Sequence, residues 1–149
     1  MNELAPLIPY FEVVTRLVAA MILGALVGTE RTLSHRVAGM RTYALVSLGA
    51  AIFVVTGEMV MSLYGGLGDP VRIAAQVVSG VGFLGAGLIM VRGSHVSGLT
   101  TAAGLWVAAA IGMAAGFGLL GLALIGTLLI LFVLVVLRPV EAEIKDQIE

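Results

Sequence analysis

The chain has 149 residues, 60% of them apolar and 11% charged, with a mean hydropathy of +1.12 and a net charge of −1. A soluble domain is about a quarter charged, so this chain cannot cover its surface in water, and lipid is its expected solvent. The near-neutral balance excludes a basic nucleic-acid-binding surface, and the lack of cysteine excludes disulfides and thiolate metal sites.

The N-terminus, MNELAPLIPYFEVV, has acidic residues and no Lys or Arg before Arg16. That is unlike the basic start of a cleaved signal peptide, so the first apolar run is expected to remain as a span, from Phe11 to Gly28. Arg16 lies one turn after Glu12, near the outer end, where the two can pair. A polar stretch at 29–41 follows, with Glu30, Arg31, His35, Arg36 and Arg41. It reads either as a chemical site or as a charged anchor.

The second span is expected from Arg41 to Tyr64. Within it Glu58 is a snorkelling interfacial acid or a buried carboxylate. GGLGDP at 65–70 then makes a tight turn. Asp69 can cap the third span, with Pro70 in its first turn, or serve as a ligand. That span is placed from Val71 to Val91, and it carries Gln76, Ser79 and four glycines: Gly80, Gly82, Gly85 and Gly87. Gln76 is either an interhelical hydrogen-bonder or part of a pathway.

Leu99 to Leu137 runs for 39 residues without a charge. As one helix it would be roughly 58 Å long, nearly twice the hydrocarbon thickness. It must fold back, and GFG at 116–118 is the natural place. The fourth span is then Thr100 to Gly116 and the fifth Leu119 to Leu137. The expected fold is all-α, a polytopic membrane protein with five transmembrane helices. It divides into a transmembrane domain at 1–138 and a short cytoplasmic tail at 139–149.

Loop charges set the expected orientation. Arg31, Arg36, Arg41, Arg92, Arg138 and Lys145 fall on one side, and Arg16 and Arg72 on the other. The positive-inside rule puts the first set in the cytoplasm and the N-terminus outside.

VAGMRTYALVSLGAA at 37–51 and VSGLTTAAGLWVAAA at 96–110 share six of fifteen positions, three of them alanines. Chance and a parallel repeat of helices 1–2 in helices 3–4 both account for this. In the repeat, both returning helices would open with a glycine and a nearby threonine. Glu30 is then the nearest acid for their electropositive N-termini.

Gly24-x-x-x-Gly28, Gly112-x-x-x-Gly116 and the third-span glycines have the spacing of close helix contact in lipid, within one copy or between copies. Glu30, Glu58 and Asp69 are too scattered for one magnesium site. His35 and His95, in separate loops, do not make a zinc site. No catalytic fingerprint is present, so neither a catalytic residue nor a cofactor is expected.

The segments RLVAAMILGALVGTER, AGMRTYALVSLGA, DPVRIAAQVVSGVGFLGAGLIM and GLTTAAGLWVAAAIGMAAG, in this order, resemble the MgtC/SapB family of bacterial inner-membrane proteins. The resemblance runs from about Arg16 to Leu137. It implies a role in adaptation to magnesium limitation, acid stress or survival inside host cells, as in virulence. It also implies a regulatory partner, the F-type ATP synthase or another membrane protein. After Leu137 the sequence reads RPVEAEIKDQIE, so the soluble C-terminal domain of longer members is not expected here.

By that resemblance Glu30, Arg31, Gly39, Arg41, Thr42, Thr100 and Thr101 form a cytoplasmic-face polar site. Asp69, Arg72 and Gln76 form an intramembrane and outer-face polar set, while Gly80, Gly85 and Trp106 serve helix packing. The expected function is a non-enzymatic regulator acting through membrane-protein partners. The alternative is a Mg2+ or proton transporter or channel built by a homo-oligomer.

Overall fold

The computed structural model describes residues 9–65, 68–93 and 95–147. The first eight residues, Gly66 and Leu67 of the expected turn, Ser94, the end of the tail and the Lys145 side chain lie outside it. Five helices are long and apolar enough to cross a membrane. They are α1 (Tyr10–Leu33), α2 (Met40–Leu63), α3 (Pro70–Leu88), α4 (Leu99–Gly116) and α5 (Leu120–Asp146). The protein is an all-α, multi-pass membrane protein, with 82% of the described residues helical.

Three boundaries differ from expectation. α1 does not stop at Gly28 but runs on to Leu33, because nothing between Thr29 and Leu33 breaks a helix. It ends in a Schellman motif, with His35 N–H donating to the Thr32 carbonyl and Arg36 N–H to that of Arg31. His35 adopts φ 53° there, a left-handed conformation that costs a side chain roughly 1 kcal/mol. His35→Gly should therefore stabilise the protein by about 1 kcal/mol, measured as a raised unfolding midpoint in detergent.

The third helix ends at Leu88 rather than Val91. Beyond it β1 (Met90–Arg92) and β2 (His95–Ser97) pair antiparallel, with Val91 opposite Val96. The last helix passes Leu137, the expected end of the fifth span, and continues through Pro139 to Asp146, since one missing N–H does not end the ladder. The expected turn at 116–118 is present. Gly118, at φ 75°, donates to Ala115 O, and Leu119 N–H donates to Ala114 O, a second Schellman end.

α4 is the central helix, packed against α1, α2, α3 and α5, and the most buried of the five. Glycines make this arrangement. A Cβ on Gly24 would lie 2.6 Å from Ser47 Cβ, and one on Gly28 2.6 Å from Met40 Cα. From the other side, a Cβ on Gly104 would lie 2.6 Å from the Tyr43 hydroxyl, and one on Gly116 3.0 Å from Ala51 Cα. α2 is thus gripped between α1 and α4 at near-backbone contact. In this seam the Ser47 hydroxyl donates to Ala20 O at 2.7 Å and the Tyr43 hydroxyl to Thr101 O at 3.0 Å. α3 stands at the edge, the least buried helix, touching α4 and α2.

The two halves of the sequence repeat share a glycine N-cap, Gly39 before α2 and Gly98 before α4. Their connections differ. A short turn joins α1 to α2, whereas the β-hairpin joins α3 to α4.

Candidate functional site

Polar groups gather at the two ends of the α1–α2–α4 bundle. At the end of the α1–α2 connection, the last turn of α1 carries Glu30 and Arg31. Arg31 is only 2% exposed, and its Nε and NH2 both meet Glu30 Oε2. The other Glu30 oxygen accepts from Ser34 Oγ at 2.8 Å, and Ser34 Oγ accepts from Arg138 NH1 at 2.9 Å. The chain of contacts ties the end of α1 to α5. Nearby, Thr32 Oγ1 accepts from Met40 N–H at 2.9 Å and so caps α2.

The expectation placed Glu30 in the polar stretch at 29–41, as the nearest acid for the N-termini of the returning helices. Glu30 is helical and is engaged by Arg31 and Ser34. A threonine does the capping, since its neutral oxygen reaches the free N–H at little desolvation cost. Thr32→Val should lower stability by about 1 kcal/mol in equilibrium unfolding.

The other expected members of that polar site are divided. Arg41, Thr42 and Thr100 are exposed, while Thr101 is buried in the first turn of α4. Arg41 and Thr42 line a pocket of about 440 Å3 together with Thr32, Gly39, Met40 and Leu45. The structure therefore separates a buried ion pair from an exposed arginine with hydroxyls, which sequence had grouped.

At the opposite end, Arg16 joins three helices. Its NH2 donates to Glu12 Oε1 at 2.6 Å; its NH1 donates to Glu58 Oε2 at 2.7 Å and to Gly116 O at 2.9 Å. The Arg16 side chain is 12% exposed and that of Glu58 27%. A cation at the C-terminal end of α4 also meets the negative end of that helix dipole. Pairing with Glu12 is visible from the i, i+4 spacing. The Glu58 contact is not, although counting helical rise places both residues near one membrane face.

On α3, Asp69 Oδ1 accepts from Val71 N–H at 2.9 Å, which is the capping geometry. Arg72 is exposed. Gln76 and Gly80 border an open, apolar groove of about 500 Å3 between α2 and α3. Of the three residues expected to pack helices, Gly85 meets Ala102 of α4, with its Cβ position 3.7 Å from that of Ala102. Gly80 meets nothing within 4 Å. Trp106 is 50% exposed on the outside of α4. An aromatic ring is too wide for a seam built from glycine and alanine, so it lies on the bundle surface. Among the described residues no group of three or more His, Cys, Asp or Glu could hold a metal ion.

A sequence model of the MgtC family matches residues 17–143. The protein named MgtC of Salmonella typhimurium strain LT2 is 49% identical over 89 residues, which are 60% of this chain and 35% of that protein. The protein of the same name from Brucella abortus strain 2308 is 55% identical over 73 residues, 49% of this chain and 29% of that protein. The aligned stretch thus spans about a third of the length of these curated relatives. No solved structure matches.

Proposed function

The chain belongs to the MgtC family, and from that premise we propose that it is a non-enzymatic regulator that docks a helix of another membrane protein. The single observation that carries this reading is the contrast between two sets of glycines. Those of α1 and α4 are spent on closing these two helices onto α2 within one copy. Gly82 and Gly87 of α3 meet nothing within 4 Å, and Ser79 and Ala86 are exposed on the Gly82 side of the helix, next to the exposed Phe83. In lipid, the small stripe of Ser79, Gly82 and Ala86 lets a second backbone approach and gain dispersion contacts. The partner is the F-type ATP synthase or another polytopic protein, and the setting is adaptation to magnesium limitation, acid stress or life inside host cells. The arginine-rich side faces the cytoplasm of a bacterial inner membrane, with the N-terminus outside.

Gly82→Leu tests the reading, because a side chain there enters open space and leaves the fold intact. Recovery of the co-purifying partner should fall by about tenfold, the loss of roughly one good packing contact, at an unchanged melting temperature. Unchanged recovery would refute it.

One observation favours a second reading, an oligomeric Mg2+ or proton transporter: Gln76 stands exposed at mid-helix on α3, where a polar amide in lipid is costly unless used. Purified protein in liposomes should then pass Mg2+ or protons, less so with Gln76→Leu. Flux no greater than that of empty liposomes retires this alternative.

A further inference from the structure

We infer that the groove between α2 and α3, together with the arginine-bearing pocket at its end, holds one anionic phospholipid. The pocket sits at the first turn of α2, where Arg41 and Thr42 are exposed and Gly39, packed on Thr32, forms part of the wall. Leu45 lines both cavities. The cationic pocket and the apolar groove therefore adjoin at Leu45 on the same face of α2. A charged head and an apolar tail on one ligand match that order.

Length agrees with the assignment. The groove follows α2 from Leu45 to Phe53 and α3 from Leu84 back to Ile73, about 12 Å and about 16 Å at the helical rise per residue. One leaflet of hydrocarbon is about 15 Å deep. Arg41 lies about 6 Å nearer the start of α2 than Leu45, at the level of a headgroup.

Charge agrees as well. Glu30, the acid on this side nearest in sequence to Arg41, is engaged by Arg31 and Ser34. Arg36, Arg92 and Arg138 are exposed on the same side and Glu141 and Glu143 oppose them at the end of α5, so among the described residues cations outnumber acids there and the field favours an anionic headgroup over a zwitterionic one. A phosphate at Arg41 would gain a charge-assisted hydrogen bond from the guanidinium, with Thr42 as a second donor. This site is on the α2 side of α3, away from Gly82, and does not depend on the partner reading above.

The test uses the full chain, purified in detergent and offered equal phosphatidylglycerol and phosphatidylcholine, with retained lipid read by native mass spectrometry. Wild type should keep one phosphatidylglycerol in preference to phosphatidylcholine by about tenfold, the worth of one charge-assisted contact. Arg41→Gln should bring the two lipids near parity. Gly49→Leu and Gly80→Leu place side chains where a Cβ meets nothing within 4 Å. Each should abolish retention of both lipids with the melting temperature preserved.

Equal retention of the two lipids by wild type would overturn the proposal, as would an unchanged preference in Arg41→Gln or unchanged retention in both leucine variants. So would displacement of the lipid by millimolar inorganic phosphate, which would mean a free-anion site. A dimer that Gly80→Leu dissociates, without lipid, would assign the groove to a second copy instead.

Discussion

Gly112→Val should yield no folded bundle, with a loss of more than about 4 kcal/mol and aggregation in mild detergent. A Cβ at this position runs into the Ser47 carbonyl group itself. Overpacking against a flexible side chain typically costs about 1–3 kcal/mol, because the side chain can turn aside. A backbone carbonyl inside α2 cannot. The alternative is to push α2 away from α4, but α2 is already held on its far side by α1. There Ser47 donates to Ala20 O at 2.7 Å, and Gly24 and Gly28 allow no slack. Moving α2 would thus open one contact while crushing another. Gly82→Leu, a larger substitution at an open position, is the internal control and should purify normally. A monodisperse Gly112→Val protein with wild-type melting would show that the three-helix seam is wrongly described.

Arg16→Leu should cost about 2 kcal/mol in unfolding free energy, measured in detergent. Breaking a fully buried ion pair costs about 3–5 kcal/mol, chiefly because one charge is left without a partner. Here Glu58 is 27% exposed, so water takes up part of the loss. Glu12 is more exposed and should tolerate the change. Two carboxylates and the Gly116 carbonyl lose their common donor at once, and α1, α2 and α4 lose the polar link at this end of the bundle. The double variant Arg16→Leu/Glu58→Leu should recover at least half of the loss, since it removes the stranded carboxylate together with its cation. A double variant no more stable than Arg16→Leu alone would mean that Arg16 acts through packing rather than charge.

The number of spans and the folding back at Gly116–Gly118 are legible in the chain because they follow from length, apolar content and punctuation, which each segment carries alone. The expected ends of the second and fourth spans lie within a residue of those of α2 and α4. The end of α1 is not legible in the same way, because His35 occupies a position where glycine is the usual signal. Nor is the hairpin at 90–97, since two strands of three residues are too short to show a period.

The polar residues were harder. Sequence placed Glu30, Arg31, Arg41 and Thr42 together because they are close along the chain. The helix then carries Arg31 inward and the turn leaves Arg41 outside. Glu58 and Arg16 are 42 positions apart, and no local pattern announces their pairing.

Glycine marks the division most plainly. Gly24, Gly28, Gly112 and Gly116 look in the sequence like packing glycines, as do the clustered glycines of α3, yet the first four touch backbone and Gly80, Gly82 and Gly87 touch nothing. In water, burial would sort the faces of a helix by hydropathy and leave a period to read. In a bilayer the outside is as apolar as the inside, so composition says that a helix crosses but not which side meets a neighbour. That choice falls to shape and to hydrogen bonds between distant residues, which exist only once the helices are assembled.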